Sequence, residues 1–344
     1  MDYLIEFIEN KPSSATYNAW KKAPGDVART LMSLGVEIYY FPSYKKNKFL
    51  SRYFKCLYYL FQVLFKVKNG DTVYIQEING LVNLLCVIVK IKHANLSYIL
   101  HDLNYYRLGN SWGNQHREKS ILSKMDYIYV HTIAMKKVIK SLGVTAKMPV
   151  FHLFDYYSNE PMIDYDKMIG LKKVIAFAGN LEKSQFLWGV NKMDIPQEFL
   201  YRLYGVLTDE KRLTNEQITY EGRFLPDCTG KVNAGWGLLW DGNSIKSCTG
   251  SLGEYLRINS SHKLSLYLAC GMPLIVWKES SLSSWLSEQG VCVCINNLME
   301  IPSVIEAISD EAYLTLVNNA RKIGQKLRNG MFLKEAILNK NKME

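Results

Sequence analysis

Eleven apolar runs of five to seven residues punctuate this chain, and their spacing limits the folds open to it more than any other feature. Five come early: YLIEFI (3–8), VEIYYF (36–41), TVYIQ (72–76), LSYIL (96–100) and DYIYV (126–130). Six come late: KVIAFAG (173–179), FLYRLYG (199–205), QITYEG (217–222), WGLLW (236–240), PLIVW (273–277) and VCVCI (291–295). Helical stretches are predicted between them, from Pro24–Asp26 onward and near 47–68, 80–92, 114–124, 133–142, 226–232, 261–271, 280–289, 299–308 and 310–340. Strands alternating with helices imply parallel, helix-covered sheets. Residues 154–171 show no sustained period and carry a proline, which reads as a linker. The predicted organisation is an α/β domain over 1–153, the linker, a second α/β domain over 172–325, and a terminal helix over 326–344. Ligands of such sheets bind beyond the carboxyl ends of the strands.

Charge divides along the same line. Residues 1–150 hold 21 Lys and Arg against 10 Asp and Glu, and the remainder holds 21 against 22, so the whole excess of +10 lies in the first half. That half is expected to favour an anionic partner. The segment 45–68, KKNKFLSRYFKCLYYLFQVLFKVK, has seven basic residues and no acid. As a helix it could lie on an anionic membrane with its aromatics at the headgroups, or it could be a core helix with basic ends; the membrane reading is preferred. The longest apolar run, LVNLLCVIVKI (81–91), falls short of the ~20 residues a spanning helix needs. The opening MDYLIEFIENK has no basic region of the kind a secretory signal carries. Seven scattered cysteines without CxxC spacing read as reduced, buried thiols. The expected location is the cytoplasm, at the inner face of the membrane.

Several chemistries are not supported by pattern. GxGxxG after a strand and GxxxxGK[ST] are both missing, and GWGLLW (235–240) lacks a third glycine. The histidines do not cluster at metal spacing. DYD (164–166) matches a short metal-binding pattern but falls in the linker, so neither metal nor cofactor is expected. No pattern of a nucleic-acid-binding module is present.

The stretch INSSHKLSLYLACGMPLIVW (258–277) is the most informative. Asn259, Ser260 and Ser261 are good caps for a helix starting near His262. His262 and Lys263 then sit in its first turn, the wrong sign for the positive end of the dipole unless an anion occupies the site. A pyrophosphate held by Lys263 and the helix terminus would answer the mismatch; a solvated lysine is the alternative. FAGNLEKS (177–184) offers Gly179 for close approach, Asn180 for hydrogen bonding and Lys183 as a second cation, or is a plain strand-to-helix turn. TYEGRF (219–224) places Tyr220, which could stack on a base, and Glu221, which could accept from a ribose hydroxyl. In the first half, His101 and Asp102 follow a strand end, where either could deprotonate a hydroxyl or simply cap and pack. KPSSATYNAW (11–20) puts Ser13, Ser14 and Thr16 after another strand.

Over about 236–277 the sequence resembles bacterial β-1,6-galactofuranosyltransferases of O-antigen and capsule assembly, and more distantly the glucosyltransferases that extend glycans on serine-rich-repeat adhesins. The residues that carry the resemblance are Gly237–Gly242, Cys248–Gly250, Gly253–Leu256 and Asn259–Leu268, with the AGN turn at 178–180 and the HD pair at 101–102. The resemblance implies a GT-B fold, two Rossmann-like domains facing a cleft. A UDP-sugar would bind the second domain and an oligosaccharide acceptor, free or lipid-linked, the first. By the same resemblance Lys263 looks like the pyrophosphate lysine. Lys183, Tyr220 and Thr16 fall at UDP contacts, and Gly179, Asn180, Glu221, Tyr255, Asn259 and His262 complete the donor set. Asp102 with His101 is expected to be the catalytic pair of an inverting, metal-independent hexosyltransferase, galactofuranose being the favoured sugar. A glucosyl- or galactosyltransferase acting on a protein-linked glycan, and a non-catalytic sugar-nucleotide-binding partner, are the rival readings.

Overall fold

The computed structural model describes residues 1–7, 21–41, 58, 60–77, 82–108 and 112–340. These fall into two compact units, residues 1–151 with 332–340, and residues 152–331. Each is built on one all-parallel sheet.

The first unit carries β1 (Tyr3–Phe7), β2 (Glu37–Phe41), β3 (Thr72–Ile75), β4 (Asn95–Ile99) and β5 (Tyr127–Tyr129) in the order β2-β1-β3-β4-β5. Every pairing is parallel. Helices Lys22–Ser33, Val82–Ile91, Asn104–Arg107, Trp112–Leu122 and Ile133–Ser141 supply connections. Thr132 starts the last of these by accepting from the Met135 amide at 2.9 Å, the cap that satisfies an otherwise orphaned N–H. β3 is buried at every position, and Leu4, Val73, Tyr74, Ile128 and Tyr129 are sealed in the core.

The second unit carries β6 (Val174–Asn180), β7 (Leu200–Val206), β8 (Ile218–Gly222), β9 (Trp236–Leu239), β10 (Leu274–Trp277) and β11 (Cys292–Ile295) in the order β11-β10-β9-β6-β7-β8. All its pairings are parallel too. The helix His262–Ala269 lies against β9. Its Tyr267 is fully buried over Gly237, where a Cβ would come within 2.2 Å of the ring, so only glycine admits the ring at that depth. The Tyr267 hydroxyl accepts from the Ala178 amide at 2.8 Å and so ties the helix to β6. The helix Asp310–Arg328 packs on the same element. Ser309 caps it, Asp310 and Glu311 fill its first turn, and Lys326 and Arg328 its last. This is the charge order that the helix dipole favours.

All eleven predicted strands are present within two residues at either end. The stretch 154–171, expected as a linker, lies within the second unit, with Phe154, Tyr156 and Met168 buried. The terminal helical region breaks at Asn329–Gly330, where Gly330 takes φ 69°, and the helix Met331–Leu338 after it lies mainly in the first unit. The helix predicted over 226–232 is one 3-10 turn, Thr229–Lys231. Short helices Phe186–Val190 and Gly250–Tyr255 went unread in the sequence because neither runs beyond six residues, too short to show a period. Most of the basic segment 45–68, including Lys45, Lys46 and Lys48, lies outside the described residues, as do Ser13, Ser14 and Thr16.

Candidate functional site

In the second unit the chain leaves β6 toward β7 and then crosses back, so that β9 pairs on the other side of β6. Successive connections diverge between β6 and β9, and the carboxyl ends of these two strands frame the crevice that such a reversal opens. Gly179 is the penultimate residue of β6, and Asp241 follows β9 by two residues. Ser261 caps the helix His262–Ala269 through its hydroxyl, the Lys263 amide donating at 3.4 Å. Lys263 therefore leaves the first turn, and its side chain crosses the face of Gly179. A Cβ there would lie 3.1 Å from Lys263 Cε. The Lys263 ammonium sits 4.6 Å from the centre of the Phe177 ring and donates to Asp241 Oδ2 at 3.1 Å.

This geometry revises one point of the sequence reading. Lys263 is not a solvated surface lysine: its side chain is 17% exposed, and the anion that offsets the unfavourable dipole in this structure is the carboxylate of Asp241. An ammonium has three N–H donors and no acceptor. Asp241 takes one of them, which leaves capacity for a phosphate oxygen. Asp241 lies within Gly237–Gly242, one of the stretches that carry the resemblance, but had no assigned role. Its signal was an acid directly beyond an apolar strand.

The other predicted donor residues are distributed around this centre. Asn180 is exposed at the end of β6, and its Oδ1 accepts from the Lys183 amide at 3.2 Å, so the turn is self-supporting. Lys183 is exposed. His262 packs its ring on Tyr156 and Phe154, with centroids 5.0 and 6.1 Å away, and so faces the aromatics of the preceding segment. Tyr255 is buried, and its carbonyl accepts from the Asn259 amide at 3.0 Å. The Asn259 carbonyl accepts from Ser281 Oγ at 2.6 Å, while its Oδ1 is buried without a partner. Tyr220 and Glu221 lie on β8, with β7 between them and β6. The Tyr220 hydroxyl donates to the Gly205 carbonyl at 2.8 Å, and Glu221 is exposed and paired with Arg202 at 3.7 Å.

In the first unit, His101 and Asp102 follow β4. Asp102 Oδ2 accepts from Arg107 Nη1 at 2.5 Å. His101 Nε2 lies 2.8 Å from Gln76 Oε1, and Gln76 Nε2 donates to Glu6 and, at 3.2 Å, to the Pro24 carbonyl. Glu6 and Gln76 are both buried. His131, fully buried, donates from Nε2 to the His101 carbonyl at 3.0 Å. Burial pushes its imidazole down to about 4, so the ring is neutral near pH 7. Glu6, Gln76 and His131 were not singled out from sequence, although an acid inside YLIEFI and an amide closing TVYIQ are polar residues on strands that must be buried on both faces.

DYD (164–166) forms no cluster: Asp164 caps a 3-10 turn by accepting from the Asp166 amide at 3.3 Å. Among the described residues no group of three or more His, Cys, Asp or Glu could hold a metal ion. Among them, too, no helix is long and apolar enough to cross a membrane.

The family models described as Glucosyltransferase 3-like, N-terminal domain and Glucosyltransferase 3-like, C-terminal domain match residues 5–153 and 175–340. The chain is 24% identical over 244 residues to the beta-1,6-galactofuranosyltransferase WbbI of Escherichia coli K12, covering 70% of this chain and 69% of that protein. It is 24% identical over 280 residues to Glucosyltransferase 3 of Streptococcus parasanguinis, covering 80% and 77%. Among solved structures it is similar to a sucrose-phosphate synthase from Thermosynechococcus elongatus, with a TM-score of 0.64 at 12% identity over 99% of this chain and 98% of that one. It is also similar to HepE of Anabaena, solved in complex with UDP and glucose, with a TM-score of 0.61 at 14% identity over 99% and 100%. The fold is GT-B.

Proposed function

The chain belongs to the glucosyltransferase 3-like family and is a glycosyltransferase, and from that premise we propose that it transfers a hexose from a UDP-sugar to a glycan acceptor in surface polysaccharide synthesis. The observation that carries the donor half is the Lys263 ammonium, laid across Gly179 at the β6/β9 reversal and held at 3.1 Å by Asp241. A cation and a helix N-terminus at that place suit a diphosphate, whose negative charge grows as the glycosidic bond to it breaks. HepE, which has the same fold, was solved with UDP.

The reaction balances as a displacement with inversion. The acceptor oxygen bonds to the anomeric carbon, and the bond from that carbon to UDP breaks. UDP leaves with the electron pair, and the acceptor proton passes to the His101–Asp102 pair. Lys263 meets the leaving charge in the role a divalent metal plays elsewhere, so turnover should survive a chelator. Galactofuranose is the favoured sugar, on the likeness to the Escherichia coli enzyme. The family models and the streptococcal relatives favour glucose as a second reading. A screen of UDP-galactofuranose, UDP-glucose and UDP-galactose, with products weighed by mass spectrometry, decides between them. No product from any donor would sink the enzymatic reading, and UDP binding without turnover would favour a non-catalytic partner.

We further place the protein on the inner face of an anionic membrane. Tyr58, Phe61 and Phe65 are exposed and, with Gln62 and Lys66, line a groove of about 390 Å³ in the first unit. Aromatics bordered by a cation suit a headgroup layer. Sedimentation with phosphatidylglycerol vesicles should be lost on changing Phe61 and Phe65 to Ser. Unchanged sedimentation would remove this placement.

A further inference from the structure

β11 carries two thiols two residues apart, Cys292 and Cys294, which on an extended strand share one face. The helix Ser283–Glu288 packs on β11. Its Ser287 hydroxyl stands 3.5 Å from Cys292 Sγ and 3.4 Å from Cys294 Sγ, so the two sulfurs converge on one oxygen. Cys292 is buried and Cys294 half-buried, while Ser287 is exposed, so the pair is reached from the solvent side of that hydroxyl. β11 is an edge of its sheet and pairs, among the described residues, with β10 alone.

A serine hydroxyl has one hydrogen to donate. It cannot donate to both sulfurs, so at least one contact is a thiol S–H donating to Ser287 Oγ. Once the other sulfur loses its proton, the hydroxyl turns its hydrogen to the thiolate and both contacts persist. Cys294 is the sulfur so favoured. The neighbouring Cys292 thiol, then Ser287 and the Lys278 ammonium, hold it below the ordinary thiol value, while Cys292 is pushed up.

The spacing decides what the pair can hold. Two residues along a strand span about 6.6 Å, whereas a disulfide needs Cβ atoms about 3.8 Å apart. A direct S–S bond would have to bend β11 away from β10. One large atom bonded to both sulfurs closes the gap with the strand kept, because its two bonds add reach that a single S–S bond lacks.

We propose that Cys292, Cys294 and Ser287 form a modification site for a trivalent arsenical, a soft centre that takes two thiols at once. In its hydrated form the arsenical carries two As–OH groups. The Cys294 sulfur attacks arsenic and displaces one of them, and the Cys292 sulfur then displaces the other. Two S–As bonds form and two As–O bonds break. Two waters leave with the two thiol protons, and arsenic stays trivalent, so no oxidant or reductant is needed.

The test is intact-protein mass spectrometry of the full chain with phenylarsine oxide, followed by peptide mapping. The wild type should gain one phenylarsenic unit in place of two hydrogens, on the peptide that holds both cysteines. The adduct should survive excess glutathione, a monothiol, and be removed by dithiothreitol, a dithiol. Cys86, Cys248 and Cys270 are sealed in the core, which leaves half-buried Cys228 as the other reachable thiol among the described residues. Cys292→Ser and Cys294→Ser should each lose the glutathione-resistant adduct, because one thiol alone exchanges. Cys292→Ala repeats the measurement should a serine at that buried position prevent folding. No resistant adduct in the wild type, one mapped to any other cysteine, or one that persists in either single variant overturns the proposal.

Discussion

The two sheets reverse their strand order in the same way and use the reversal differently. In the first unit connections diverge between β1 and β3, in the second between β6 and β9. At β1/β3 the polar groups are sealed: Glu6 and Gln76 bond to each other and present one oriented acceptor to His101. At β6/β9 a cation stays partly open, beside a glycine that clears the strand end for it. Parallel topology fixes where a ligand can approach. The side chains at that place then decide what each end suits: a buried hydrogen-bond network fixes the orientation of its own groups, whereas a partly exposed cation suits an anion.

The sharpest way to break this comparison is to remove the open charge. Lys263→Ala should lower kcat by about 10²-fold, the cost usually seen when one preorganised charge stabiliser is lost, and weaken UDP binding by calorimetry. Unchanged turnover and affinity would mean that the reversal at β6/β9 binds no diphosphate.

The sealed side should show itself in stability. An unfolded histidine titrates near 6.5, while burial holds His131 at about 4, so the unfolded chain takes up its proton first as pH falls. The neutral ring's contribution is complete above the unfolded value and is lost as pH drops toward 4. The loss is about 1.4 kcal/mol per pH unit, or ~2 kcal/mol between pH 6.5 and 5. Urea unfolding at the two pH values should give that loss in the wild type and a flatter response in His131→Gln. Equal slopes would show that His131 titrates as freely as in the unfolded chain.

A finer probe is Gly179→Ala. The new methyl would sit 3.1 Å from Lys263 Cε and push the side chain aside without touching the sheet. UDP affinity should fall about tenfold, ~1.4 kcal/mol, with little change in Tm. A fall in Tm without a change in affinity would make Gly179 a packing residue alone.

Strand positions were legible because short apolar runs between helices admit few alternatives, and Lys263 was legible because a cation at a helix start asks for a counter-charge. What the sequence could not show was the counter-charge itself. Asp241 and Lys263 are 22 residues apart and meet because the helix His262–Ala269 packs back on β9, which Asp241 follows. The same holds for Glu6, Gln76 and His101, which come from β1 and the ends of β3 and β4 and are joined by side-chain bonds that no local period records. Thr16 lies outside the described residues.

Tyr220 gives the smallest expected effect and separates scaffold from site on the open side. The sequence suggested a ring stacked on a nucleobase, whereas the structure gives its hydroxyl a fixed duty, a 2.8 Å bond to the Gly205 carbonyl that braces β8 against β7. Tyr220→Phe deletes that bond and keeps the ring, so stability should fall by about 1 kcal/mol while UDP affinity holds. Tyr220→Leu deletes the ring as well. If the ring stacks on the base, affinity should drop by a further ~1 kcal/mol or more, as stacking on an aromatic face usually contributes. Equal affinity in both variants would make Tyr220 a brace alone and confine the donor site to the β6/β9 reversal.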